Sequence, residues 1–405
     1  MKELFRQHSF VRFFFARVAA IAGTQMLMMA IGWHMYDLTG SAIDLGLVGL
    51  FQFAPALVMT LAAGHVADRW HRARVVAMCL LGQVFVAIFL ASASRLDGVT
   101  RESLLLMSIV LGAIRPFQSS AQQALIPMLV PSSLLARAIA LSSAGAQASV
   151  ITGPAIGGLL FIAGINIVYF TCAVLFGLAT AMCVFVRYEH IVPAREPVSI
   201  HTLLAGVRFI TTNRMLLGAT SLDLFAVLLG GATALLPIFA KEILHVGPEG
   251  LGLLRSAPAV GALIAGVMLA NRPIARRVGR KLLSAVAVYG VCMVAFGLSS
   301  SFLLSLVFLA ISGGADMVSV VIRHTLTQLE TPDHMRGRVA AVNNLFIGAS
   351  GQLGEFESGL TAAAFGPVGS VVIGGVGAIF ISIAWSRLFK PLALRETLDG
   401  AAIKA

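Results

Sequence analysis

Twelve runs of apolar residues, each close to the length of a membrane-crossing helix, constrain this 405-residue chain more than any other feature. A helix needs about 20 predominantly apolar residues to cross the hydrocarbon core of a bilayer. The predicted runs are 10–33, 45–66, 75–94, 104–125, 141–162 and 168–186, then 216–239, 251–270, 283–298, 303–326, 339–365 and 368–388. The sequence therefore predicts an all-α membrane protein with six helices on each side of a polar segment.

The composition favours a membrane protein over a nucleic-acid-binding one. Hydrophobic residues make up 58% of the chain and charged residues 12%, whereas soluble domains have roughly 45–50% and 25%. The net charge is +11, but a nucleic-acid-binding domain gathers its bases on one water-exposed face, and here they lie between the apolar runs. The first run lacks a small-residue cleavage site, so we expect it to remain as a helix and not to be removed as a signal peptide.

Basic residues collect at alternate ends of the runs, and this sets the orientation. One side holds Arg69, Arg72, Arg74, Arg137, Arg187, Arg195, Arg208, Arg214, Arg272, Arg276, Arg277, Arg280, Lys281, Arg336 and Arg338. The other side holds Arg95, Arg101 and Lys241. Because Lys and Arg accumulate in the cytoplasmic loops of membrane proteins, we expect both termini to lie in the cytoplasm.

The two halves of the chain repeat each other. Pro55 corresponds to Pro258, 203 residues later, and Gly112 precedes Arg115 as Gly313 precedes Asp316, 201 residues later. A duplicated six-helix unit is typical of transporters whose substrate site lies between the repeats near the middle of the membrane. We therefore predict an N-terminal bundle (1–190), a linker (191–214) and a C-terminal bundle (215–405).

The linker carries its own helical pattern. Apolar residues recur at helical spacing opposite Arg208 and Arg214, namely Ile200, Leu203, Leu204, Val207 and Ile210. This pattern is typical of an amphipathic helix lying at the membrane surface, and we interpret it as a tether.

A charged loop between the second and third runs carries a family signature. Residues 64–74 read Gly-His-Val-Ala-Asp-Arg-Trp-His-Arg-Ala-Arg, which resembles the Gly-x-x-x-Asp-Arg-x-x-Arg-(x)-Arg signature of the major facilitator superfamily. The resemblance implies a twelve-helix transporter fold in which Gly64, Asp68, Arg69 and Arg72 form a cytoplasmic gate. In this role Asp68 pairs with a cation or a helix N-terminus in one conformer and loses that partner in another.

The gate interpretation has one alternative, and the repeat makes the gate asymmetric. The arginines also serve as topogenic charges, and this explanation competes with gating. The second copy that the repeat predicts, around 266–281, keeps its bases but has Ala270 or Asn271 near the expected acid. We therefore expect the two loops to act unequally.

The fourth run contains an arginine and two glutamines on one helix face. The stretch from Leu111 to Ser119 resembles the superfamily's Leu-x-x-x-Arg-x-x-Gln-Gly pattern of proton-coupled members, with Ser119 in place of the final Gly. Arg115, Gln118 and Gln122 share a helix face by their spacing. A lipid-facing arginine costs about 2.5–3.5 kcal/mol at the bilayer centre, so we assign these residues, with Gln52, to the substrate or proton pathway. An interhelical clamp is the competing role for Arg115.

The fifth run carries a small-residue motif. Ser149, Gly153, Pro154, Gly157 and Gly158 resemble the Gly-x-x-x-Gly-Pro-x-x-Gly-Gly motif of exporter branches of the superfamily, with Ser149 for the first Gly. Small residues let helix backbones approach and proline bends a helix. We predict a helix-packing hinge at Gly153, Pro154 and Gly157.

The acids within the predicted spans all lie in the second half, at Asp223, Asp316, Glu355 and Glu357. An intramembrane carboxylate is costly unless it is paired, protonated or facing water, and a cavity with little water favours its protonated form. Asp316 and Arg323, seven residues apart, share a face, whereas Glu355 and Glu357 point about 200° apart, so at most one of these two faces the cavity. We expect one or more of these acids to carry a proton.

The resemblance extends over nearly the whole chain. Residues 332–338, 346–350 and 354–359, with 36–41 after the first run, resemble a bacterial exporter branch that includes the enterobactin exporters. The resemblance implies a monomeric, proton-coupled exporter of a small amphiphilic, siderophore-like molecule in the bacterial inner membrane. Multidrug efflux and lysophospholipid efflux or flipping remain alternatives on the same fold.

Other classes of function have less support in the sequence. An intramembrane enzyme would need a catalytic constellation, and Asp37 with Asp316 resembles an aspartyl protease pair only superficially. The four cysteines form no Cys-x-x-Cys pair and there is no phosphate-binding Gly-x-x-x-x-Gly-Lys loop, so we expect no metal and no cofactor. The sequence does not exclude a third class, a sensor that does not transport.

Overall fold

The computed structural model describes residues 2–188, 200–230, 232–272, 274, 276–332 and 335–398, which are mostly helical and contain no strand. A single helical turn, Lys2–Phe5, precedes the long helices. These are α1 (His8–Thr39), α2 (Ala42–Arg69), α3 (Arg72–Arg95), α4 (Arg101–Leu129), α5 (Ser132–Phe161), α6 (Ile165–Val184), α7 (Ile200–Thr212), α8 (Arg214–Leu229), α9 (Pro248–Asn271), α10 (Val278–Leu298), α11 (Phe302–Glu330) and α12 (Arg336–Leu388), followed by the short α13 (Lys390–Ala393).

The predicted number of spans is confirmed. Eleven segments of the described chain are helical, long and apolar enough to cross a membrane, and the last of them, Phe346–Leu388, has 43 residues. At about 1.5 Å per residue this segment is roughly twice as long as a 30 Å hydrocarbon core is thick. Gly366 interrupts α12 with φ 76° and ψ 162°, and Pro367 follows it. The segment therefore contains two spans, which makes twelve.

The seventh run is not the continuous helix that its hydropathy predicts. Helix α8 ends at Leu229, and the chain resumes with a 3₁₀ turn, Ala232–Leu235, and a π-helical turn, Phe239–Ile243. Gly230 stands at the end of α8, where a Cβ would overlap the hydroxyl of Tyr289. Interrupted helices at membrane depth are tolerated where they are buried in protein or line a cavity.

The chain forms two compact units. Unit 1 comprises Met1–Gly40, Phe51–Val198 and Val246–Ser256, and unit 2 comprises Ser41–Leu50, Ser199–His245 and Ala257–Ala405. The first turns of α2 thus belong to unit 2, and those of α9 to unit 1. Each unit has an apolar core, built around Phe10, Phe13 and Leu125 in unit 1 and around Leu222, Val286 and Ile322 in unit 2. The division at 191–214 stays a prediction.

The predicted linker helix exists as α7, but its surroundings differ from the prediction. Ile210 is buried together with Val339 and Val342 of α12, whereas Leu204 is exposed. The apolar stripe of α7 therefore packs in part against α12. The side chains of Ile200 and Leu203 lie outside the described residues.

Candidate functional site

A cluster of charged side chains lies inside unit 2, built by α8 and α11. One guanidinium nitrogen of Arg323 forms an ion pair with Asp223, and the other lies 4.0 Å from Oδ1 of Asp316. The Nε of Arg323 donates to the hydroxyl of Ser319 at 3.1 Å and to the Ser319 carbonyl at 3.3 Å. The predicted closeness of Asp316 and Arg323 is confirmed. The contact of Arg323 with Asp223 has no local sequence signal, because 100 residues separate them.

The two carboxylates have unlike surroundings. The side chains of Asp223 and Arg323 are each 10% exposed, whereas that of Asp316 is 51% exposed. A buried ion pair persists when its geometry and its additional hydrogen bonds offset the cost of desolvation, and Ser319 supplies such bonds here. Asp223 is therefore the buried partner of Arg323, and Asp316 is the more exposed one.

A cavity of about 270 Å³ opens beside this cluster within unit 2. Three acids line it, Asp223, Asp316 and Glu355, among mostly apolar and small residues that include Tyr289 and Met293. Glu357 is not among the lining residues, in agreement with the expectation that at most one of the two glutamates faces the cavity. The volume lies just below the roughly 300–1,000 Å³ of ligand pockets.

The interruption of α8 forms part of the cavity wall. Gly230 lines the cavity, and its carbonyl accepts a 2.9 Å hydrogen bond from the hydroxyl of Tyr289 in α10. A carbonyl at a helix end needs such a partner when it is not in water. Sequence reasoning missed Gly230, Tyr289 and Ser319. The pair of glycines at 230–231 within an apolar run is the signal that marks the break.

Glycines bring the helices beside the cavity into backbone contact. A Cβ at Gly313 of α11 would overlap the backbone of Pro258 in α9, and one at Gly261 of α9 would overlap the backbone of Ala310. In unit 1, a Cβ at Gly112 of α4 would overlap the backbone of Gln52 in α2. Gly112 and Gly313, which correspond in the repeat, thus each allow a close contact between two helices of their own unit.

The predicted pathway residues of unit 1 lie on α4 and α2 in unlike environments. Arg115 is exposed, Gln122 is half-buried and Gln52 is buried. The amide of Gln83 in α3 donates to Oε1 of Gln118 at 2.8 Å. Gln118 is thus tied to a neighbouring helix, although the spacing places it on the face of Arg115.

The predicted gate residues also differ in their surroundings. Arg72 is buried, and its guanidinium donates to the carbonyl of Ala124 at 3.1 Å, while Arg69 is exposed. Gly64 lies within α2, and the side chain of Asp68 lies outside the described residues. The loop signature does not distinguish the two arginines, whereas the fold anchors Arg72 to α4.

The predicted hinge is a packing surface between α5 and α1. A Cβ at Gly153 would lie 3.0 Å from the carbonyl of Ala22, and one at Gly157 would lie 3.3 Å from Met26. The backbone of Pro154 contacts Gly252 in the first turns of α9. The small residues therefore act as expected in helix packing, and a hinge motion stays a prediction.

Arg17 is an intramembrane cation that the sequence analysis missed. It lies within α1, and its guanidinium donates to the hydroxyl of Ser142 in α5 at 2.7 Å. An arginine inside an apolar run is itself a sequence signal of a functional or paired residue. The spans of unit 1 thus contain the cations Arg17 and Arg115, whereas the intramembrane acids lie in the spans of unit 2.

Comparison with known proteins places this architecture among transporters. The chain matches the Major Facilitator Superfamily over residues 13–354. It is 27% identical over 370 residues to the multidrug efflux pump Tap of Mycolicibacterium fortuitum, covering 87% of this chain and 88% of Tap. It is 25% identical over 399 residues to the enterobactin exporter EntS of Citrobacter koseri, covering 94% and 92%.

A solved structure supports the same fold. A mutant form of the nucleoside transporter NupG superimposes with a TM-score of 0.77 at 12% identity, covering 94% of this chain and 100% of that one. Its low identity makes it evidence for the fold alone. With a family match over most of its length and a multi-pass helical architecture, this chain belongs to the major facilitator superfamily of transporters.

Proposed function

We propose that the protein is a secondary-active exporter in the bacterial inner membrane, which exchanges protons for a small amphiphilic organic molecule by alternating access. The observation that carries the proposal is the position of Arg323 between two carboxylates of unlike exposure, Asp223 and Asp316. The relatives named as an exporter and an efflux pump support outward transport.

Protonation of Asp316 gives the cavity two charge states. A proton on Asp316 removes its attraction for Arg323 and leaves the buried pair with Asp223 intact. Loss of the proton restores a second carboxylate 4.0 Å from the same guanidinium. A substrate that binds better to one of these states is thereby coupled to the proton, because a ligand shifts an equilibrium by its differential affinity.

The remaining polar residues receive supporting roles in this proposal. Arg115, Gln118, Gln122 and Gln52 shape the substrate pathway in unit 1. Glu355 lines the cavity of unit 2 and, together with Glu357, is a further candidate for the proton. Gly64, Asp68, Arg69 and Arg72 act as the cytoplasmic gate, and the motif at Gly153, Pro154 and Gly157 accommodates helix movement.

The orientation and assembly follow from the charges. We place both termini in the cytoplasm, because the basic loops lie on their side of the membrane. The transporter acts as a monomer of two six-helix halves (1–190 and 215–405) joined by 191–214. Its partners are the bilayer, protons and a small-molecule substrate, and it has no nucleic-acid partner.

A siderophore-like molecule is the first substrate candidate, supported by the full-length similarity to EntS. The charge of the cavity favours a second candidate, a cationic drug. Apart from Asp223, which is paired with Arg323, the acids lining the cavity are Asp316 and Glu355, and among its described lining residues there is no Lys or Arg. Export of such a cation would fit the similarity to Tap. Lysophospholipid efflux or flipping is a third possibility on this fold.

Substrate identity is tested by comparing culture supernatants of a deletion strain and its parent under iron limitation, by mass spectrometry. Siderophore export predicts a depleted siderophore signal in the deletion strain. An undiminished signal removes that substrate and leaves drug or lipid efflux, which is then followed as retention of the cationic dye ethidium. Failure of every transport assay would support a sensor that does not transport.

Proton coupling is tested in proteoliposomes with the compound so identified. We expect Asp316→Asn to abolish accumulation driven by a pH gradient but to retain exchange of labelled for unlabelled substrate, because only the proton step is lost. Asp97→Asn, in a loop outside the cavity, is the matched control and should behave as the parent. If collapse of the pH gradient leaves flux unchanged, proton antiport is wrong.

A further inference from the structure

A second cavity, of about 240 Å³, lies at the end of unit 1 where α3 begins and α6 has ended. Its described lining includes three bases, His71, Arg74 and Arg187, together with Tyr188, and contains no carboxylate. One water molecule needs about 10–15 Å³ of such volume, so the cavity has room for a group much larger than water.

The walls of this cavity are held in place by other residues. Ser9 donates to the carbonyl of Arg187 at 2.7 Å and accepts from its backbone N–H at 3.2 Å. Arg12 donates to the carbonyl of Phe185 at 2.7 Å. These bonds satisfy the backbone that follows α6, while the side chain of Arg187 remains exposed.

Tyr188 joins the segment that follows α6 to the start of α3. The rings of His71 and Tyr188 have centroids 4.5 Å apart, and the hydroxyl of Tyr188 accepts from the backbone N–H of Arg72 at 2.8 Å. Burial raises the pKa of Tyr188 further above neutral pH. The side chain of Arg74 is exposed in the lining of the same cavity.

The cavity lies at the ends of two apolar spans. Apolar spans α3 and α6 have their ends there, and Trp70, which is 57% exposed, stands two residues before Arg72. Tryptophan is enriched at the headgroup level, and basic pockets between membrane helices hold anionic lipid headgroups. Arginine binds phosphate through two parallel hydrogen bonds.

We propose that this cavity binds a phosphate group through Arg74 and Arg187, contributed by an anionic phospholipid headgroup or by a soluble phosphate. This site is separate from the cavity in unit 2 and does not depend on the proposed substrate or on proton coupling.

The test is native mass spectrometry of the purified full-length protein with phosphatidylglycerol, and with phosphatidylcholine of the same acyl chains. We expect phosphatidylglycerol to be retained preferentially, and Arg74→Gln or Arg187→Gln to weaken its retention about five-fold each, the effect of roughly 1 kcal/mol per basic residue near an anionic surface. The paired Arg74→Lys and Arg187→Lys substitutions should keep only part of the binding, because lysine retains the charge but cannot form the two parallel hydrogen bonds. Arg276→Gln, an exposed base in the corresponding loop of unit 2, is the matched control.

A second arm distinguishes the sources of the phosphate. Inorganic phosphate that displaces phosphatidylglycerol from the parent protein identifies a soluble phosphate as a ligand, and failure to displace it identifies the lipid headgroup. The proposal is overturned if the double glutamine variant, purified as a monodisperse protein, retains phosphatidylglycerol as the parent does. It is equally overturned if Arg276→Gln loses as much binding, or if both lipids bind alike and inorganic phosphate displaces neither.

Discussion

Arg323 shows how a single side chain gains its role from partners on two helices. Asp223 neutralises it in a buried pair, Ser319 receives its Nε–H, and Asp316 lies within 4.0 Å on the exposed side. Removing one member of a buried pair leaves an uncompensated charge, which costs more than the pair itself contributes. Asp223 and Asp316 should therefore respond differently to the same substitution.

We expect Asp223→Asn and Arg323→Gln each to lower the free energy of unfolding by about 3–5 kcal/mol, the usual cost of breaking a buried ion pair. The double variant should lose less than the sum of the two, since it leaves neither charge behind. Thermal unfolding in detergent measures this cycle, with Asp316→Asn as the half-exposed control that keeps stability. Additive losses would contradict the pairing.

The helices pack closely where glycine removes a side chain. Gly313 of α11 lies against the backbone of Pro258, whereas nothing lies within 4 Å of a Cβ built on Gly348 of α12. Both are helical glycines, so intrinsic helix propensity favours alanine at both by about 1 kcal/mol. The difference between the two positions is therefore one of packing between helices.

Gly313→Ala should destabilise the protein and reduce substrate exchange, because the new methyl group forces α9 and α11 apart beside the cavity. Gly348→Ala should leave stability unchanged or slightly raised, by at most about 1 kcal/mol. Thermal unfolding and exchange measured on the two variants together check the comparison. Equal behaviour of the two would mean that the α9–α11 contact is not close in the membrane.

At the scale of the whole molecule, the two units repeat in architecture but differ in charge. Arg115 and Asp316 occupy equivalent positions, 201 residues apart, and both are exposed. The equivalent glycines, Gly112 and Gly313, pack their helices in the same manner. The equivalent positions thus share a packing framework but carry opposite charges.

The charged loops are asymmetric as well, because the loop of the first half has Asp68 and that of the second half has no matching acid. We expect Asp68→Asn to slow turnover while membrane insertion and protein level stay as in the parent, because the gate then has an amide where it needs a charge. Transport rate per inserted molecule measures this, with Asp97→Asn as the control. Transport at the parental rate would exclude the gate and leave the family assignment standing.

The sequence by itself determined the twelve spans, the duplication and the superfamily, because hydropathy over about 20 residues and local motifs report on single helices and their neighbours in the chain. It also placed Asp316 and Arg323 on one face, since helical spacing is a local property. Only the tertiary structure decided that Asp223 pairs with Arg323, that α8 breaks at Gly230 against Tyr289, and that Arg72 is anchored to α4. These depend on how helices distant in the chain rotate and pack, and periodicity within one helix carries no information about its partner.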